Sequence, residues 1–136
     1  METRIKKISG DNYDAIVLAH AGISRLGVDV TFTSLSTEDF SPSPGQGAIA
    51  IVARIDDSQT IRMLKKIEDP DTRLEIEAER ALSDFIDSGC RFPLGAYATS
   101  DGSKMTLTVY AFSVDGEQSL QVTRSGDKNN PKLLGK

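Results

Sequence analysis

The sequence predicts an α/β fragment followed by a small α+β domain, a three-stranded antiparallel sheet covered by helices. Three observations carry this expectation. A short apolar run with β-branched residues, 14–19, passes directly into a helical stretch, 20–26, closed by Gly27, as strand–helix units do in α/β folds. Two further helical patterns then follow, over about 58–68 and 69–87. Beyond Cys90 the period changes to two over 94–100, 104–113 and 118–123, with Asp101-Gly102 and Asp115-Gly116 between the runs at hairpin spacing.

Each element has a local reason. Ile5 and Ile8, three apart among Lys and Arg, read as the end of an amphipathic helix stopped by Gly10. Residues 28–40 are mixed and polar. Ser41-Pro-Ser-Pro-Gly-Gln-Gly47 reads as a rigid loop punctuated by Pro and Gly, and 48–54 as a second buried strand. Asp56 or Asp57 can cap the next helix, and Pro70 suits the first turn of the one after. That longer helix presents Leu74, Ile76, Ala78, Ala81, Leu82, Phe85 and Ile86 as an apolar face, and Ser88-Gly89 ends it. The tail from Ser125 is polar, and Leu133-Leu134 begins a helix that does not develop.

Composition bounds the function. The chain has 136 residues, room for one ordinary domain or a small one plus part of another. A net charge of -4 argues against general nucleic-acid binding, which wants a basic face. No apolar stretch is long enough to cross a bilayer, and no secretory signal opens the chain, so a cytoplasmic location is expected. One cysteine and one histidine are too few for a zinc site, and no metal is expected.

Cys90, between Gly89 and Arg91-Phe92-Pro93, is a buried apolar residue, a reactive thiol or an attachment point; local sequence leaves all three open. Arg4, Arg25 and Arg54 fall near element ends, where a guanidinium can meet a carboxylate with two N–H donors or simply stand in solvent. Gln46 lies in a Gly-flanked loop whose backbone permits close approach, though a plain tight turn explains the glycines equally well. His20 has no Ser or Asp partner at hand and reads as a packing residue. Glu75, Glu77 and Glu79 are spaced by two, which spreads them around a helix and argues against a metal cluster.

These pieces, in this order, resemble the porphobilinogen deaminase (hydroxymethylbilane synthase) family. Thr3-Arg-Ile-Lys-Lys-Ile8, Tyr13-Asp-Ala-Ile-Val-Leu-Ala19 and Ala21-Gly-Ile-Ser-Arg-Leu-Gly27 resemble its second-domain signature. Pro44-Gly-Gln-Gly-Ala48 resembles the strand returning to the first domain. Arg73, Ala78-Glu-Arg-Ala81 and Gly89-Cys-Arg-Phe-Pro-Leu-Gly95 resemble the helix and cofactor loop of the third. The resemblance implies that 1–40 close the second domain, 41–55 return to the first, and 56–136 form the third, cofactor-carrying domain, truncated at its C-terminus.

Such enzymes join porphobilinogen units into a linear tetrapyrrole, losing ammonia at each step, on a dipyrromethane cofactor held by a thioether. The resemblance makes Cys90 that anchor and Arg4, Arg25 and Gln46 cofactor-binding residues. The residue types suit the chemistry. A soft thiol captures an electron-poor methylene carbon, and every pyrrole carries carboxylates that call for arginines. The implied partners are porphobilinogen and the growing oligopyrrole. Full-length members are usually monomeric, whereas exposed strand edges here invite self-association.

No residue of this sequence matches the family's catalytic aspartate, so no catalytic residue is assigned. Met1 falls in mid-motif and the last helix stops at Lys136, which implies truncation at both ends and an inactive isolated fragment. The competing expectations are a non-catalytic tetrapyrrole-binding or assembly module and a thiol redox protein. The second is weakened by the lack of a resolving cysteine.

Overall fold

A computed structural model describes residues 2–9, 13–86 and 93–136 of the chain. It divides into two compact units, Met1–Leu35 and Ser36–Lys136.

In the first unit, helix α1 (Glu2–Lys6) runs into a 3-10 turn (Lys7–Ser9), and α2 spans His20–Leu26. Gly27 ends α2 in the left-handed region at φ 57°, where its N–H reaches the carbonyls of Ile23 and Ser24. That conformation strains any residue with a Cβ, which is why glycine closes the helix. Ile23 is the buried residue of α2. His20 is exposed, with its ring 5.0 Å from that of Phe32.

The second unit is the α+β domain. Helix α3 (Ser58–Leu64) starts at Asp57, whose side chain accepts the Thr60 N–H at 3.0 Å. It is shorter than its pattern suggested. The chain tightens into i→i+3 bonds at Lys66 and Ile67, and Met63 and Ile67 stay exposed, so no burial rewards another turn. Asp69 must also leave the helical region, because it precedes Pro70. There it caps α4 (Pro70–Ile86), accepting the Thr72 N–H at 2.8 Å.

The sheet has order β1-β2-β3, with β1 at Leu94–Asp101, β2 at Lys104–Phe112 and β3 at Ser119–Asp127. Both pairings are antiparallel, with Asp101 opposite Lys104 and Lys104 opposite Asp127. Strand β3 runs four residues past its apolar pattern because β2 offers a full-length partner. The polar ends pair through hydroxyls, Thr106 with Ser125 at 2.9 Å and Thr108 with Thr123 at 3.2 Å. Helices α4 and α5 (Pro131–Leu134) pack on the sheet. The core holds Ala78, Ala96, Ala98, Met105, Leu107 and Leu134, with Leu74, Leu82 and Val109 against it. The tail that looked merely polar thus contributes a core residue.

Two expected strands are absent. Residues 14–19 and 48–54 carry no strand ladder, and their side chains stand largely in solvent, Val17 at 77% and Val52 at 92% exposed. An apolar run becomes a buried strand only when neighbours complete its hydrogen bonds and cover both faces. Among the described residues nothing does so.

Candidate functional site: a carboxylate-pinned loop beside the first strand

Antiparallel pairing uses one edge of β1 and leaves the other to find partners elsewhere. Along that outer edge the Ala96 N–H donates to the Pro42 carbonyl at 2.9 Å. The Ala98 N–H donates to Glu79 Oε1 at 2.8 Å, and the Ser100 N–H to Glu75 Oε1 at 2.7 Å. Alternate donors are therefore capped by the loop and by two carboxylates one helical turn apart on α4. The other oxygen of Glu79, Oε2, accepts the Gly45 N–H at 2.7 Å. One side chain on α4 thus touches both β1 and the loop that carries Gln46.

The same loop presses on β1 directly. A Cβ at Gly95 would collide with the Ser41 side chain, whose Cβ lies 2.7 Å from that position. Gly45 and Gly47 turn the loop at φ 76° and 88°, and Gln46 Oε1 accepts the Ser43 N–H at 3.3 Å. Gln46 itself is exposed.

Glu79 is 5% exposed. Burial pushes its pKa up, the Ala98 and Gly45 N–H groups oppose that rise, and the nearby charge of Glu75 adds to it. A hydrogen bond to each oxygen makes a buried carboxylate more tolerable. Sequence reading passed over this residue because it counted the acidic run at spacing two. The signal was the i,i+4 pair Glu75 and Glu79, which share one helix face beside Ala78.

The expected site residues fall in different places. Arg4 is in the last turn of α1 and Arg25 in the last turn of α2. Both are exposed, and neither forms an ion pair among the described residues. A guanidinium fork in such a place can meet a carboxylate with two N–H donors. Both belong to the first unit and Gln46 to the second. Cys90 lies outside the described residues; α4 ends four residues before it, at Ile86, and β1 begins four after, at Leu94.

Comparison with known proteins finds one family along the chain. Residues 1–62 match the family model described as porphobilinogen deaminase, dipyromethane cofactor binding domain. Residues 73–136 match that of the porphobilinogen deaminase C-terminal domain. Arg4, Arg25 and Gln46 fall in the first match and Cys90 in the second. The chain is 82% identical over 135 residues to a probable porphobilinogen deaminase of Nitrosopumilus maritimus. It is 41% identical over 136 residues to the porphobilinogen deaminase of Trichlorobacter lovleyi, and 38% over 137 to that of Syntrophobacter fumaroxidans. These alignments cover 99%, 99% and 100% of this chain but 43%, 44% and 44% of the relatives, so the chain spans less than half their length.

Proposed function

The chain belongs to the porphobilinogen deaminase family, and from that premise we propose that it is the cofactor-carrying part of a hydroxymethylbilane synthase. The whole enzyme would condense porphobilinogen stepwise into a linear tetrapyrrole with loss of ammonia. The observation that carries this reading is the succession of two domain matches of one family, in order, over 1–62 and 73–136.

On this reading Cys90 supplies the thiol of the thioether to dipyrromethane, and the bound cofactor would supply the primer for chain growth. Arg4 and Arg25 take pyrrole carboxylates through charge-assisted, forked hydrogen bonds. Gln46 presents an amide to the pyrrole cleft from a loop held by Glu79. Residues 1–40 close the second domain, 41–55 return to the first, and 56–136 form the third. Among the described residues no helix is long and apolar enough to cross a membrane, and a cytoplasmic setting, which keeps a lone thiol reduced, suits the anchor.

The isolated 136-residue chain is inactive on this account, because no residue of it corresponds to the family's catalytic aspartate. The test is porphobilinogen consumption by the chain alone and after mixing with the N-terminal portion of the Nitrosopumilus relative. The expected result is turnover only in the mixture. Turnover by the chain alone would refute its inactivity, and a competent, cofactor-loaded mixture that consumes nothing would leave only a binding role.

A further inference from the structure

We propose that Glu79 is a positioning residue whose buried carboxylate fixes the loop around Gly45 against β1 and thereby sets where Gln46 stands. Its consequence for pyrrole binding rests on the function proposed above; the clamp itself does not.

The geometry is a three-way junction made by one side chain. The carboxylate belongs to α4, one oxygen takes the Ala98 N–H of β1, and the other takes the Gly45 N–H of the loop. Gln46 is the next residue after Gly45. Bonds from backbone N–H to an ionised acceptor are stronger than neutral ones, and a water-poor setting strengthens them further. The remaining contacts of the loop with β1 lie toward its start, at Ser41 and Pro42. Without Glu79 the 44–47 turn would keep, among the described residues, its internal bonds, Gln46 N–H to the Ser43 carbonyl at 3.0 Å and Ser43 N–H to Gln46 Oε1. The neighbouring Glu75 is committed to Ser100 and does not reach the loop. A glutamine at position 79 keeps the shape but offers only one acceptor oxygen, turning an N–H donor toward the second backbone N–H.

The test uses the 136-residue chain labelled for NMR. Backbone amide protons bonded to a carboxylate shift as it titrates, so the Gly45 and Ala98 amides are expected to move together with one midpoint. That midpoint should lie above the ordinary glutamate value of 4.5. In Glu79→Gln both transitions should vanish, the Gln46 side-chain amide signals should move, and Gly45 exchange should accelerate at least about tenfold relative to Thr108 in the central strand. A purely structural role would accelerate both sites alike and overturn the proposal. So would separate midpoints for Gly45 and Ala98 in the unsubstituted chain, a result that needs no variant to fold. Turnover enters none of these readouts, so failure of the proposed enzyme function and failure of the clamp are distinguishable.

Discussion

Burying a carboxylate costs several kcal/mol unless hydrogen bonds offset the lost water, and at Glu79 two backbone N–H groups do so in part, one on each oxygen. Burial still holds its folded pKa above the reference value. The sign of the resulting pH dependence follows. Between the unfolded and folded values the native state binds more protons, so this group costs stability as pH rises from 4.5 through its raised folded value. The urea midpoint of the wild-type chain, minus that of Glu79→Gln, should therefore fall as pH rises above 4.5. A rise would contradict the desolvated state assigned to Glu79. The carboxylates of Asp57, Asp69 and Asp115, held low by N–H or hydroxyl donors, respond in the opposite sense, and both chains share them. At this scale the sequence was only partly legible. The anchor and ligand roles proposed for Cys90, Arg4 and Arg25 rest on the family resemblance, not on their local sequence. Glu79 was missed because its role depends on β1 and the loop, which are 19 and 34 residues away along the chain.

Secondary elements whose signals are local were legible to within a few residues. Asp57 and Asp69 cap α3 and α4 through the Thr60 and Thr72 N–H groups, and Gly102 and Gly116 turn at φ 58° and 75°. Each of these is decided within four residues of itself. The segments 14–19 and 48–54 read as strands by composition, but a strand also needs a distant partner, and composition carries no information about that. Helix α5 was undervalued for a related reason. Its single turn is held by packing, with Leu134 reaching the inner face where Gly126 leaves room for its Cδ1. Gly135 sits so close to α4 that an added Cβ would collide with the Ala78 carbonyl and lie 2.9 Å from Ala81 Cβ. Gly135→Ala is therefore expected to destabilise the domain by about 1–3 kcal/mol, the usual cost of overpacking. Urea denaturation measures this, and an unchanged midpoint would show that α5 does not need its close approach to α4.

Taken whole, the chain joins a lightly packed unit, Met1–Leu35, to a unit with a defined core. Val17, Ile49, Ile51, Val52 and Ile55 are all exposed. Extended apolar segments with unfilled backbone groups favour pairing between copies, so the isolated chain is expected to associate with rising concentration. Sedimentation velocity on the chain and on an Ile51→Lys/Val52→Lys variant checks this; identical behaviour would place any association elsewhere. The class of the fold was legible because caps, turns and period are written locally. The junction at Glu79 was not, since its partners lie 19 and 34 residues away. The claim on which everything turns is that Cys90 carries the cofactor. Intact-mass analysis with peptide mapping, after mixing the chain with the N-terminal portion and porphobilinogen, tests it most directly. A dipyrromethane adduct on the peptide containing Cys90, lost in Cys90→Ala, is the expected result. A preparation that turns over porphobilinogen while Cys90 remains an unmodified thiol would contradict it.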